Sequence, residues 1–396
     1  MTSTAVVTSL DDARRVAERL AATVSERRMA GEELRRMPDD TIDDFVDSGL
    51  LRMNQAARWG GLELGSRAVV ELVSAVAEGD GASGWVFGLL ASHFWLGSVF
   101  DLQAQYDMWD EDPDALMSSS FAAEASDVAA CDGGYQVSGR WPFSSGSDHC
   151  SWAMVGIVVP PKGGEGPPTP RWCLVPRPDY TVEDTWSTCA LRGTGSNTVV
   201  VDDAFVPEYR TVDPVDVMEG RAPGSSANLS PIFRLSFSSA LSGYLGSTAI
   251  GIAKRAARDF AEYSSKKVSK FTGLPELSDP MIIHVGTVAA HAEAAHGLMM
   301  YRAGLLDALI DQGVGPTLEQ RLATNRDVTT AVRMCVDAVE LAMRFSGGSG
   351  LFDKHTIQQA WRDVHGVAAH MGYNTDTVYG NWGRQVLDLP LPPGFS

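Results

Sequence analysis

A β-rich segment enclosed between two helical ones is the feature that most constrains the fold of this chain. Residues 113–213 carry short apolar runs of strand type, separated by turns and prolines, and residues 214–230 are rich in proline, glycine and serine. Apolar positions recur at helical spacing on both sides, and the C-terminal helical patterns cover 280–311, 317–345 and 356–371. We therefore predict an α+β protein with a helical N-terminal domain (1–112), a middle antiparallel β-barrel or sandwich (113–213), a linker (214–230) and a helical bundle (231–396).

The segment 139–152 lies between two of the predicted strands and has an unusual composition. It contains Trp141, Phe143 and Trp152 together with Ser144 and Ser145. Aromatic side chains offer a stacking surface to a flat ring, and short hydroxyls reach the polar edge of such a ring without filling its space. The same residues also suit a sandwich hairpin with core aromatics, so composition alone leaves both interpretations open.

Charge and cysteine content exclude several classes of function. The net charge is -18, with 50 acidic and 32 basic residues, whereas nucleic acids and anionic membranes bind basic surfaces. Five cysteines without a CxxC pair indicate reduced thiols. No apolar run is long enough to span a membrane, and no basic, apolar leader opens the chain. These features predict a soluble cytoplasmic protein, and we expect no metal site at His284, His291 and His296.

Residues 139–152, together with residues 186–207, resemble the acyl-CoA dehydrogenase fold. They are more closely similar to one branch of it, the oxygenase components of two-component flavin monooxygenases that hydroxylate phenols. The order of helical, β-rich and helical parts matches this fold along nearly the whole chain. The resemblance implies a helical N-terminal domain, a middle β-barrel or sandwich and a C-terminal four-helix bundle, assembled as a homotetramer.

The resemblance also implies which residues hold a flavin. It places Ser145 opposite flavin N5, and it places a preceding edge strand at Ser119 and Ser120. It implies that the glycine turn after a long C-terminal helix helps to hold the flavin, often across a subunit interface, although two C-cap glycines between helices explain that turn as well. The other residues that we expect at the flavin are Trp141, Phe143, Trp186, Arg192, Gly347 and Gly348.

Two histidines are the candidates for the chemistry of the substrate. Acyl-CoA dehydrogenases carry a catalytic glutamate at a position that falls on or beside Met371, and this chain has no glutamate after Glu340. His370 ends a pattern that begins at Trp361 and resembles the monooxygenase branch. With an ordinary pKa near 6.5, a neutral histidine can accept the proton of a phenol near pH 7. His93 is similar to the substrate-side histidine of the family, and both histidines also suit a structural role.

The sequence therefore predicts an oxygenase component that hydroxylates a small phenolic or polycyclic aromatic substrate through a flavin C4a-hydroperoxide. It would use O2 and reduced flavin from a separate reductase, because the chain shows no nicotinamide-binding unit of its own. The lack of a clear CoA signal favours reduced FMN, with FADH2 as the second choice. The alternatives are an acyl-CoA dehydrogenase, an N- or S-oxygenase on the same fold, and a flavin-free scaffold protein.

Overall fold

The computed structural model of the protein describes residue 7 and residues 9–161, 166–268, 273 and 277–392. Side-chain caps fix the starts of two helices in the N-terminal part. Ser9 accepts a hydrogen bond from the Asp12 N–H, and Asp80 accepts one from the Ser83 N–H. The helices of this part are α1 (Leu10–Leu34), α2 (Asp39–Asp47), α3 (Ser66–Gly79), α4 (Gly81–Ser98) and α5 (Leu102–Trp109).

The middle part is a sandwich of two four-stranded sheets, ordered β1-β4-β5-β8 and β2-β3-β7-β6. Its strands are β1 (Met117–Ser120), β2 (Ala125–Cys131), β3 (Gly134–Ser144), β4 (Trp152–Val159), β5 (Thr169–Pro176), β6 (Tyr180–Glu183), β7 (Asn197–Pro207) and β8 (Thr211–Val212). Side chains from both sheets, among them Val137 of β3 and Val155 of β4, form one apolar core. The predicted sandwich is confirmed, but its sheets are not wholly antiparallel, because β1 pairs with β4 in parallel.

Strand β3 changes register twice as it pairs with β7, and the second irregularity falls between Trp141 and Ser144. At this bulge Phe143 takes a left-handed backbone conformation, with φ of 65°. Its phenyl ring is 70% exposed. A bulge of this kind re-aims a side chain that regular alternation would place elsewhere, and here it turns Phe143 out of the sandwich.

The C-terminal part is again helical, with a capping box between Thr317 and Gln320 at the start of one long helix. Two short helices occupy the predicted linker, α6 (Pro214–Met218) and α7 (Pro223–Ala227). They are followed by α8 (Phe237–Ser265), α9 (Asp279–Asp311), α10 (Leu318–Ser346), α11 (Thr356–Ala368) and α12 (Thr375–Val386). Helices α8 to α11 pack around a shared apolar core, as the bundle prediction required. Among the described residues, no helix combines the length and apolar character needed to cross a membrane.

One detail of the sequence-based prediction is wrong at the end of α11. The helical pattern extends to residue 371, whereas α11 ends at Ala368. His370 caps a short 3-10 turn, Met371–Tyr373, by accepting the Gly372 N–H at its own Nδ1. A histidine that accepts a backbone N–H in this way offers the chain an alternative to continuing the helix.

Candidate active site

One side of α4 carries Trp85, Leu89 and His93. Their four-residue spacing aligns them along the helix, over about 12 Å from the first to the last. In α4, which is described throughout, Leu89 is the one residue that is not fully buried. Solvent therefore reaches this helix between Trp85 and His93, and that opening defines the candidate site.

His93 is held in one protonation state by its neighbours. Its Nδ1 lies 2.5 Å from the carbonyl oxygen of Met117, and its Nε2 lies 2.9 Å from the hydroxyl of Ser119. Since a carbonyl can only accept, Nδ1 carries the proton and Nε2 accepts from Ser119. Burial lowers the pKa of His93 from 6.5 to about 4. The ring is thus neutral near pH 7, and the Ser119 oxygen keeps its lone pairs available to the site.

A hydrogen bond joins β1 to the bulged end of β3. The Ser120 hydroxyl donates to the carbonyl oxygen of Pro142 over 2.6 Å, which brings Ser119 and Ser120 beside Phe143 and the segment that follows it. The exposed ring of Phe143 meets Trp186 edge to face, with ring centroids 6.1 Å apart. The structure therefore brings together four of the residues predicted at the flavin.

Ser145 belongs to a chain of hydroxyls that runs from Trp85 to Leu191. The Trp85 Nε1–H donates to Ser145 Oγ over 3.2 Å. Ser145 Oγ lies 2.7 Å from Ser196 Oγ, which lies 2.6 Å from Thr194 Oγ1. Thr194 donates to the carbonyl oxygen of Leu191 over 2.9 Å. Because each hydroxyl has one proton and this last acceptor is a carbonyl, Ser196 must donate to Thr194, and Ser145 must donate to Ser196.

This direction fixes what Ser145 offers to a ligand. Its hydroxyl proton is used inside the protein, and one lone pair of its oxygen is taken by the Trp85 N–H. The second lone pair remains, so the Ser145 hydroxyl can offer a ligand a hydrogen-bond acceptor but no donor. Only 5% of Ser145 is exposed, which limits this contact to the edge of a bound group.

His370 completes the site from the C-terminal part. Its ring centroid lies 5.6 Å from that of Trp85, at an interplanar angle of 64°. Burial lowers the pKa of His370, which favours the neutral ring. Since Nδ1 accepts the Gly372 N–H, the proton of the neutral ring lies on Nε2. Nε2 is therefore a hydrogen-bond donor, which differs from the acceptor that the predicted role as a base requires.

Two of the other residues predicted at the flavin make contacts inside the protein. Trp141 is fully buried in the sandwich core, where its Nε1–H donates to Gly156, so the prediction that it forms a pocket wall is wrong. Arg192 donates to the Thr188 carbonyl oxygen over 3.1 Å and lies 3.8 Å from Glu32. This pair of contacts ties the Arg192 guanidinium to its own loop and to α1.

Gly347 and Gly348 are separated from His370 by a whole helix of the sequence. They follow the C-terminus of α10, with Gly347 at φ of 64°, and a side chain added at either glycine would meet open space. Helix α11 lies between them and His370 along the sequence, and its 13 residues span about 20 Å. Both glycines are exposed.

The last glutamate of the chain is engaged away from the site. Glu340 Oε1 accepts from the Trp361 Nε1–H over 2.9 Å and lies 2.8 Å from His365 Nε2. This contact joins His365 of α11 to α10. The side chain of Met371, where acyl-CoA dehydrogenases carry their base, is 83% exposed. The arrangement gives α-proton removal no carboxylate at that position.

Comparison with known proteins places this site in a family. The chain is 32% identical over 374 residues to the oxygenase subunit HsaA of a flavin-dependent monooxygenase from Rhodococcus jostii, covering 94% of this chain and 97% of the relative. This chain belongs to the flavin-dependent monooxygenase oxygenase components. The acyl-CoA dehydrogenase C-terminal domain model matches residues 244–375 of this oxygenase component.

Two further comparisons agree. The oxygenase component is 32% identical over 368 residues to the FADH(2)-dependent resorcinol hydroxylase oxygenase component of a Rhizobium species, covering 90% of each chain. The crystal structure of 3-HSA hydroxylase from Rhodococcus sp. RHA1 superposes with a TM-score of 0.91 at 30% identity, covering 98% of this chain and 100% of that one. Homologous oxygenase components thus share both the fold and the length of this chain.

The residues at the site fit a flavin. Phe143 supplies exposed aromatic surface and Trp186 partly exposed aromatic surface, which a flat ring system can contact. Ser145 supplies an acceptor at the same place, and the reduced flavin ring carries an N–H at N5 that can donate to it. The acceptor at Ser145 is therefore complementary to the N5–H of the reduced ring.

Sequence reasoning missed Trp85, Leu89, Thr194 and Ser196 as members of the site. Trp85 and His93 stand eight residues apart in a helical pattern, so their shared side could have been read from the spacing. Thr194 and Ser196 lie within the segment 186–207 that carries the resemblance. The direction of their hydrogen bonds depends on the Leu191 carbonyl, and no sequence pattern reports that contact.

Proposed function

We propose that this oxygenase component hydroxylates a phenolic substrate, using O2 and reduced flavin that a separate reductase supplies. One observation supports the proposal. Near the opening on α4, the neutral rings of His93 and His370 carry their protons on different nitrogens, so that the one accepts and the other donates at Nε2. When bound, reduced flavin activates O2 and delivers one oxygen atom to the substrate. Everything else in the reaction is positioning and hydrogen bonding by residues of this chain.

Ser119 and His370 act on the hydroxyl of the phenol. Ser119 donates its proton to His93, so its oxygen accepts the phenol O–H and raises the electron density of the phenol oxygen. His370 donates its Nε2–H and stabilises the negative charge that grows there. Electron density at the phenol oxygen activates the ring carbon ortho to it toward an electrophilic oxygen atom. The role proposed for His370 is therefore that of a donor.

The residues that would hold reduced flavin are Ser145, through its hydroxyl oxygen, and Phe143 and Trp186, through their aromatic side chains. The choice between FMN and FAD stays a prediction, with FMN favoured by the lack of a CoA signal. One relative is FADH(2)-dependent by name, which supports FADH2 as the competitor. Competition between the two reduced flavins for the protein under anaerobic conditions measures this preference directly.

The protein assembles as a homotetramer in which Gly347 and Gly348 approach the flavin of a neighbouring subunit. Next to these glycines, Leu351 and Phe352 are 68% and 65% exposed, and on α9 Ile283 is 64% exposed. Exposed apolar side chains of this kind mark an interaction surface. The molar mass in solution tests the assembly, and a monomer at micromolar concentration would count against it.

Replacing His370 tests the proposed reaction. The variant His370→Ala should bind reduced flavin but release more hydrogen peroxide for each hydroxylated product, because one hydrogen bond to a charged group is lost. The product-to-peroxide ratio should fall about tenfold or more. The control is His365→Ala, which removes a histidine of α11 that contacts Glu340 and should keep the ratio. An unchanged ratio in His370→Ala, at an unchanged melting temperature, would contradict the role of His370.

A further inference from the structure

We propose that the hydroxyl chain from Ser145 to Leu191 makes the site selective for reduced over oxidised flavin, with Asp363 as the positioning residue that holds the end of the chain. The inference rests on the proposed function, since it takes Ser145 to contact flavin N5. It goes further because it assigns the preference for reduced over oxidised flavin to Thr194, Ser196 and Asp363.

The first step is the difference between the two flavins at one atom. N5 of the reduced ring carries a hydrogen and donates, whereas N5 of the oxidised ring has only a lone pair and accepts. The Ser145 hydroxyl can only accept from a ligand, because its proton goes to Ser196 and that of Ser196 goes to Thr194. Reduced flavin therefore donates from N5 to Ser145 and completes the chain of hydroxyls. Oxidised flavin instead places the lone pair of N5 against the Ser145 oxygen, so that two acceptors face each other.

The second step concerns the carbonyl oxygen at which the chain of hydroxyls ends. The carbonyl oxygen of Leu191 accepts from the Thr194 hydroxyl and also from the Trp186 Nε1–H, over 2.9 and 3.0 Å. Leu191 itself has φ of 49°, in the left-handed region that a leucine rarely adopts. Backbone of this kind persists only where its surroundings hold it. The direction of the hydroxyl chain thus depends on the contacts that hold Leu191.

The third step is the group that holds Leu191. Its backbone N–H donates to Asp363 Oδ1 over 2.6 Å, and the side chain of Asp363 is buried on α11. Burial first, and then the nearby carboxylate of Asp80, raise the pKa of Asp363 to about 8. Oδ1 can accept the N–H whether or not the carboxyl is protonated. Asp363 therefore joins α11 of the bundle to the turn on which the flavin contact depends.

Replacing Thr194 by its near-isostere valine tests the direction of the chain. Without the Thr194 hydroxyl, the Ser196 proton can turn toward Ser145, and the Ser145 proton is then free to reach an acceptor at N5. We expect wild-type protein to bind reduced flavin more tightly than oxidised flavin in anaerobic titrations. In Thr194→Val this preference should shrink about tenfold. In the double variant Ser145→Ala/Thr194→Val, the preference should equal that of Ser145→Ala alone.

Two variants of Asp363 test whether its carboxyl group holds the Leu191 turn. Asp363→Asn keeps an oxygen acceptor for the Leu191 N–H and should preserve the preference for reduced flavin, whereas Asp363→Ala should lose it. In flavin-free protein, hydrogen exchange of the peptide 187–197 should accelerate in Asp363→Ala and not in Asp363→Asn. The control is Asp327→Asn, a buried carboxylate of α10 that is paired with Arg302 of α9. It should lower stability without changing either measurement.

The outcomes separate this inference from the function on which it rests. Wild-type protein that binds neither flavin would overturn both. Wild-type protein that binds oxidised flavin at least as tightly as reduced flavin would overturn the selectivity. Hydroxylation with an unchanged redox preference in Thr194→Val and Asp363→Ala would overturn the inference and leave the proposed function standing.

Discussion

A single backbone carbonyl decides what His93 can do. The Met117 carbonyl holds the proton on Nδ1, and burial keeps the ring neutral, with a pKa of about 4. The histidine is therefore an acceptor for Ser119 near pH 7. The same argument, applied to the Gly372 N–H, makes His370 a donor. Two histidines that are alike in sequence thus take opposite roles.

Burial of His93 predicts how stability changes with pH. The unfolded chain, with an ordinary pKa of 6.5, binds a proton between pH 6.5 and about 4 that folded His93 does not bind. The contribution of His93 to the free energy of unfolding is therefore complete above pH 6.5 and falls as the pH decreases through this window. The loss reaches about 3 kcal/mol at the acid end.

Urea unfolding at a series of pH values measures this loss against a matched variant. His93→Asn retains a donor for the Met117 carbonyl but has no group that titrates in this window. The difference in unfolding free energy between the two proteins should change steadily from pH 6.5 to pH 4.5. A constant difference would show that His93 is not buried in the neutral form.

The neighbourhood of Trp141 and Phe143 shows what the sequence could and could not predict at the residue scale. Two aromatic residues at positions i and i+2 of a strand face the same side by simple alternation, and both were predicted at the flavin. The bulge after Trp141 breaks the alternation, so Trp141 is fully buried and Phe143 is 70% exposed. The resemblance predicts Ser145 and Ser119 at the flavin, whereas the direction of their hydrogen bonds required the structure.

At the scale of elements, α4 connects the two ends of the site. An almost wholly apolar helix is buried, as its sequence predicts, and Leu89 is its one partly exposed residue. Leu89 packs against the apolar core that includes Leu191 and Leu245. Since Leu89 lies between Trp85 and His93, its size should set how much room a substrate has beside α4.

Changing the size of Leu89 should change the preference among phenols. Leu89→Ala should lower the KM for polycyclic phenols relative to single-ring phenols, and Leu89→Phe should raise it. The control is Leu90→Ala on the buried side of α4, which should cost about 2–5 kcal/mol of stability without altering the preference. Equal kcat/KM ratios in wild-type protein and both Leu89 variants would place the substrate elsewhere.

Helix boundaries illustrate how far elements can be predicted. The patterns at 280–311 and 317–345 agree with α9 and α10 to within a residue at each end, because long apolar faces and a capping box define them. The pattern that continues to residue 371 does not, because α11 ends at Ala368 and a side-chain contact of His370 starts a new turn. Regular periodicity is visible in a sequence, whereas the contact that interrupts it is not.

At the scale of the whole molecule, the site forms where three parts of the fold meet. The N-terminal helices supply Trp85 and His93, the sandwich supplies Ser119 and Ser145, and the bundle supplies His370. Asp363 of α11 holds the Leu191 turn in the middle part. We therefore propose that substrate binding, flavin binding and the preference for reduced flavin all depend on contacts that join separate parts of the chain.

Labelled oxygen tests the central claim most directly. The protein is mixed with chemically reduced flavin, a panel of single-ring and polycyclic phenols and O2 enriched in oxygen-18, and the products are analysed by mass spectrometry. The proposed function predicts a phenol with one added hydroxyl that carries the label, in amounts that fall in His370→Ala as peroxide rises. Complete conversion of the reducing equivalents to hydrogen peroxide with every phenol, and no labelled product, would contradict it.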